Sequence, residues 1–223
     1  MLNAFFWITL AAAGADWLAT GKGWKMARRV TKPAALLAML LWFTTVSQWQ
    51  GRLVWFGLAL VFSLIGDVFL LFPRKLFYAG LAAFLVAHLA YITGLNPTLP
   101  RLNLTSLIPF VVLLVGMVGV ARPLRRALKR SPMSRRMKIP VYLYSAVLSL
   151  MLFSALYTLL RPDWPPLAAI LTSLGGALFF ASDSLLGTAR FIGPVRREDL
   201  LVIVSYHLGQ LGLISGALLR YLG

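Results

Sequence analysis

Apolar runs of membrane-spanning length alternate with short polar breaks along the whole chain. A helix needs about 20 mostly apolar residues to cross a bilayer. Eight stretches approach that length: residues 2–19, 34–49, 53–72, 76–95, 104–121, 139–160, 166–188 and 200–222. The breaks carry helix-ending chemistry, as in Gly21-Lys22-Gly23, Gly51-Arg52, Pro73-Arg74-Lys75, Asn96-Pro97, the basic run 122–138, Arg161-Pro162-Asp163 and Gly193-Pro194. The second stretch is short, and either tilts little or extends back through Pro33. The pattern predicts an all-α integral membrane protein of eight transmembrane helices, folded as a single polytopic domain over residues 1–223. The first stretch has no basic residue ahead of its apolar run and reads as a retained helix rather than a cleaved signal.

Composition strengthens this picture. The 223 residues are 60% hydrophobic, with a mean hydropathy of +0.82, against about 45–50% apolar for a soluble domain. One aqueous core cannot hide that much apolar surface. There is no cysteine, which excludes disulfides and thiolate metal sites. Lys and Arg number 22 against 6 Asp and Glu. In a soluble protein this excess would point to nucleic acid; here the short loops of a membrane protein account for it.

The basic residues also predict an orientation. The loops after the first, third, fifth and seventh stretches hold five, two, eight and three of them, eighteen in all, against four elsewhere (Arg52, Arg101, Arg161 and Arg220). By the positive-inside bias those loops face the cytoplasm and both termini face outward. The run 122–138 reads as an anchor on anionic lipid at the cytoplasmic face, and no nucleic-acid partner is expected.

With depth assigned, the intramembrane polar residues fall in one layer between the inner leaflet and the midplane. Asp16, Lys32, Asp67, Tyr142, Tyr144, Asp183, Tyr206, His207 and Gln210 lie on its inner side, and His88 and Tyr91 lie near the middle. The outer half is expected to be apolar. A shared polar layer implies a cavity opening toward the cytoplasm or the inner leaflet. A weak echo links Gly66-Asp67-Val68-Phe69 with Ser182-Asp183-Ser184-Leu185, each followed by a basic loop and a returning helix with a histidine (His88, His207). It is consistent with a four-plus-four repeat, an arrangement that places sites at the repeat interface.

Asp67 and Asp183 are the principal candidates for chemistry. Intramembrane carboxylates are costly and tend to be functional. Two of them in one low-dielectric cavity divide into a protonated acid and an ionised carboxylate. The bland reading is that each pairs with Lys32, an arginine or a tyrosine and fixes helix packing. His88, with Tyr91 one turn on, is balanced between a site role and packing; for His207 packing is favoured; Asp16 is open. A metal site from Asp67, His88 and Asp183 is conceivable, but no motif such as HExxH supports it. No metal or cofactor is expected. Ser182 and Ser184 flank Asp183 without a GxSxG elbow, which sets serine hydrolysis aside.

Several motifs, in order, resemble the YhhN-type lysoplasmalogenase family of eight-helix membrane proteins. They are Thr31-Lys32-Pro33, Gly66-Asp67-Val68-Phe69-Leu70, Phe84-Leu85-Val86-Ala87-His88-Leu89-Ala90-Tyr91, the run from Gly175-Gly176 to Ser182-Asp183-Ser184, and Tyr206-His207-Leu208-Gly209-Gln210. The resemblance implies hydrolysis of the vinyl ether bond of lysoplasmalogen-like lysophospholipids to a fatty aldehyde and a glycerophospho-base. An enol ether is hydrolysed by protonation at its β-carbon, through an oxocarbenium ion, followed by water; this needs one acid and one carboxylate, as in glycoside cleavage. Asp67 and Asp183 would fill these roles, in an order that the sequence leaves open. Lys32 would hold the phosphate; Tyr144, Tyr206 and Gln210 would orient head group or water, with Tyr91 and Ser182 beside them; His88 would tune Asp67. The expected location is a bacterial inner membrane. A proton-coupled transporter or lipid translocator using the same aspartates is the alternative.

Overall fold

A computed structural model describes residues 2–98, 132–193 and 195–223, with scattered positions between 104 and 115. Among the described residues the regular structure is helical throughout: α1 (Ala4–Gly21), α2 (Lys25–Ser47), α3 (Leu53–Leu70), α4 (Pro73–Leu95), α5 (Pro132–Tyr157), α6 (Pro166–Phe191) and α7 (Glu198–Leu222), with a single 3-10 turn at Thr158–Leu160. The six from α2 to α7 are long and apolar enough to cross a membrane. Together with the many large hydrophobics left exposed around the bundle, such as Leu37, Leu41, Val86, Leu150 and Leu174, they make this an integral membrane protein. The predicted stretch 104–121 and most of the basic run 122–138 lie outside the described residues.

The helix ends follow from local chemistry. The Asn3 side chain accepts from Phe6 N (3.2 Å) and caps α1. Pro73 and Pro166 occupy first-turn positions of α4 and α6, where a missing N–H costs nothing. At α7, Arg197 takes a left-handed conformation (φ 56°) and the Glu198 carboxylate accepts from Val195 N (3.0 Å). Glu198 and Asp199 then complement the positive helix end.

Of the two readings of the second stretch, the extension back through Pro33 is the one observed: α2 begins at Lys25, nine residues before the apolar run at 34. Its first two turns are rich in Lys, Arg and Ala, all good helix formers. The carbonyl that Pro33 leaves unpaired, that of Arg29, belongs to an exposed residue, where water substitutes. Lys32 is therefore a helical residue with a fixed direction, and Arg28 stands one turn before it on the same face.

Three antiparallel hairpins, α1–α2, α3–α4 and α6–α7, form the closest-packed pairs; α5 lies against α4 and α6, and α7 also touches α1, α2 and α3. The α6–α7 contact is nearly backbone on backbone. A Cβ placed on Gly175 would stand 2.5 Å from Leu213 N, and one on Gly209 2.8 Å from Phe179 N. Lipid supplies little hydrophobic drive between helices, so small residues that admit close approach do the joining. This seam fixes the relative height of Asp183 on α6 and Tyr206 on α7.

The end of the bundle where α4 stops carries a polar cluster of its own. Arg161 is buried there and donates to Asn96 Oδ1 (3.2 Å) and Thr98 O (2.8 Å). Asn96 donates to Ser154 (2.8 Å), and Arg52 donates to Thr93 O (3.0 Å) and Pro97 O (3.1 Å). These cations sit on the carboxyl end of α4, where the helix dipole favours them.

Candidate active site

At the opposite end, where the charged first turns of α2 and α7 converge, a cavity of about 540 Å3 is walled by α2, α3, α4, α6 and α7. Its lining is charged: Lys25, Arg28, Arg29, Lys32, Arg190, Glu198 and Asp199, with Asp67, Asp183 and Tyr206. A second cavity, of about 150 Å3, lies between α4, α5 and α6 and is mostly apolar, lined by residues such as Leu81, Val141, Leu148, Phe180 and Phe191. The two share part of their walls: Leu70, Phe77, Phe84, Leu186 and Asp183. Asp183 is the carboxylate at that junction.

The two aspartates sit in different surroundings. Asp67, 1% exposed, forms an ion pair with Lys32 (Oδ1 to Nζ, 2.9 Å). Its other oxygen and the Tyr206 hydroxyl, which is buried beside Asp67 and Gln210, close no hydrogen bond of ordinary geometry within the protein. Such orphaned buried groups ordinarily meet water or a ligand. Asp183 is 8% exposed, and among the described residues no Lys or Arg forms an ion pair with it. Its Oδ2 accepts from the Tyr144 hydroxyl and stands 3.4 Å from His88 Nε2.

The His88 ring is oriented from its other side. Nδ1 lies against the Phe84 carbonyl, one turn back. A carbonyl only accepts, so Nδ1 carries a proton and neutral His88 turns a bare Nε2 toward Asp183. A bare nitrogen and a carboxylate oxygen do not attract. The contact is favourable when one proton is added to it, on Asp183 or on the imidazole. His88 thus serves Asp183 geometrically, and not Asp67 as the sequence reading had it. Phe179 holds the ring in place, with centroids 4.9 Å apart, and packs edge-on against Tyr91 and Tyr206.

Other candidates are placed away from the cavities. The Tyr91 hydroxyl donates to Gln210 Oε1 in a fully buried α4–α7 link, and neither residue lines either cavity. Ser182 is on the charged cavity's wall, but its hydroxyl is spent on Val202 O (2.9 Å), tying α6 to α7. His207 accepts from Trp17 Nε1 (3.1 Å), an α1–α7 packing contact. Asp16 is buried and accepts from Thr31 (2.6 Å), joining α1 to α2. Among the described residues no group of three or more His, Asp or Glu is arranged to hold a metal ion.

Sequence reading missed the charged rim: Lys25, Arg28, Arg29, Arg190, Glu198 and Asp199. The spacing of Arg28 and Lys32 would have revealed it once α2 was continued through Pro33. Lys32 is engaged by Asp67, the pairing that the packing reading of that aspartate expects.

Residues 27–217 match the YhhN family model. Curated relatives are named lysoplasmalogenase. The mouse protein, lysoplasmalogenase TMEM86B, is 31% identical over 203 residues, covering 87% of this chain and 76% of its own. The human TMEM86B is 28% identical, covering 83% and 72%. A lysoplasmalogenase of Mycobacterium tuberculosis is 34% identical over 190 residues, covering 82% and 67%. No solved structure matches. The match runs from the charged turns of α2 to the last turns of α7 and so takes in every residue of the two cavities but Lys25: the chain belongs to the YhhN family.

Proposed function

We propose that this protein is a membrane-embedded hydrolase that cleaves the vinyl ether bond of lysoplasmalogen-like ether lysophospholipids, releasing a fatty aldehyde and a glycerophospho-base. The observation that carries the reading is the position of Asp183, where a charged cavity and an apolar one meet. A lysophospholipid has that polarity: a charged head, a hydrocarbon chain, and the vinyl ether bond between them. Relatives named lysoplasmalogenase on both sides of the bacterial–animal divide support it.

In the mechanism we infer, Asp183 is the acid. Among the described residues no Lys or Arg pairs with it, and its contact with His88 is favourable with one added proton. It delivers that proton to the β-carbon of the enol ether. Asp67, paired with Lys32, is the carboxylate that stabilises the oxocarbenium ion and takes a proton from the attacking water, with Tyr206 on the same cavity wall. The hemiacetal then collapses to aldehyde and alcohol. Tyr144 orients Asp183.

The chain forms, in this reading, a single domain of eight spans in a bacterial inner membrane, both termini outside, with the charged cavity toward the cytoplasm. The transport alternative needs a polar route to both faces, and the polar groups at the far end are engaged with one another. The test is aldehyde release from a 1-alkenyl lysophospholipid by purified protein in detergent. Wild type should release aldehyde and folded Asp67→Asn and Asp183→Asn should not; no release by folded wild type across several ether lipids overturns the reading.

A further inference from the structure

The charged cavity holds a pair whose chemistry mirrors that of a zwitterion. At its rim Arg28 Nη1 and Asp199 Oδ1 stand 3.4 Å apart, with Arg28 24% and Asp199 73% exposed. Arg28 Nε is buried with no hydrogen-bond partner in the protein. Three neighbouring charges are otherwise occupied, Lys32 by Asp67, Glu198 by Val195 N and Arg190 by the face of the Phe77 ring, 4.7 Å away, while Lys25 and Arg29 add positive charge to the same lining.

We propose that Arg28 and Asp199 select the head group of the lipid, Arg28 taking the phosphate and Asp199 the cationic base. The inference rests on the hydrolase reading above and adds to it the residues that set head-group preference. Arginine matches phosphate by geometry and charge. A zwitterionic head exchanges one exposed ion pair within the protein for two between protein and ligand. A head ending in bare phosphate exchanges Arg28's partner and leaves Asp199 as a like charge beside it, so Asp199 discriminates by repulsion as well as attraction. The exposure of Asp199 keeps the effect moderate, since such pairs contribute little each.

The test compares kcat/KM for 1-alkenyl-glycerophosphoethanolamine with that for 1-alkenyl-glycerophosphate. In Asp199→Lys the ratio should fall roughly three- to tenfold, the effect of one or two exposed ion pairs, through KM and with a gain on the phosphate substrate. Asp199→Glu should keep the wild-type ratio. A ratio in Asp199→Lys equal to that of wild type, or an equal loss on both substrates, overturns the proposal. A second measurement needs no turnover: protection of wild type against heat unfolding by glycerophosphoethanolamine and by glycerol 3-phosphate. Stronger protection by the former, abolished in Asp199→Lys, supports the selection even if the hydrolase reading fails. Equal protection by both in wild type counts against the selection even if aldehyde is released.

Discussion

Lys32 Nζ and Asp67 Oδ1 stand 2.9 Å apart across the α2–α3 boundary, with the lysine 13% and the aspartate 1% exposed. Removing one member of a buried ion pair leaves the other charge uncompensated, at a cost of roughly 3–5 kcal/mol. Lys32→Met should lower stability by about that much, and the double change Lys32→Met/Asp67→Asn should recover most of it. Thermal unfolding in detergent measures both; equal destabilisation by single and double variants would contradict the pairing as the source.

Tyr144 touches Asp183 through its hydroxyl and His88 through its ring, centroids 5.4 Å apart. Tyr144→Phe removes the donor and keeps the ring. Loss of one preorganised donor at a reacting group costs on the order of 100-fold in kcat. Steady-state kinetics should show that fall in kcat with KM little changed; a loss confined to KM would make Tyr144 a substrate contact instead.

Carbon protonation leaves a label. In deuterated water the released aldehyde should carry one solvent deuteron on the carbon next to the carbonyl, read by mass spectrometry at early times. Unlabelled aldehyde would mean cleavage by another route.

Gly187 lines the apolar cavity, and a Cβ there meets nothing within 4 Å. Gly187→Phe should fold and shorten the cavity. Each methylene denied burial costs about 0.8 kcal/mol, so losing room for two should raise KM for long alkenyl chains by roughly tenfold while sparing short ones. A uniform change across chain lengths would remove this cavity from the chain's path.

The α6–α7 seam makes a stability prediction of opposite sign at two glycines. Gly175→Ala forces a methyl to 2.5 Å from Leu213 N and should cost at least 1–3 kcal/mol, approximately the range for overpacking. Gly14→Ala, in α1 with nothing within 4 Å, should be neutral or gain up to about 1 kcal/mol. Unfolding midpoints of the two variants test the contrast.

The spans were legible because lipid imposes a length and an apolar composition that a sequence displays directly; 53–72, 76–95, 166–188 and 200–222 fall within a few residues of α3, α4, α6 and α7. Asp67 and Asp183 were legible for the related reason that an ionisable group inside such a stretch stands out. Partnerships were not. His88 faces Asp183 because its Nδ1 is fastened to the Phe84 carbonyl, a matter of ring direction that spacing does not encode. Pro33 concealed the start of α2 and with it Arg28. Arg161, legible as a loop cation, is buried against the carboxyl end of α4, a partnership that only the folded arrangement makes.

The shared wall at Asp183 bears on the direction of the proposed reaction. Cutting a lipid there would leave its two pieces in different media, the hydrocarbon beside the bilayer and the charged piece beside water. Neither departing fragment would compete for the other's exit. To run backwards, the protein would have to collect one fragment from each phase at the same moment, and dilution of the soluble piece makes that encounter rare. A partition between two solvents, drawn through one side chain, would thus keep apart two products whose recombination the bond chemistry already opposes.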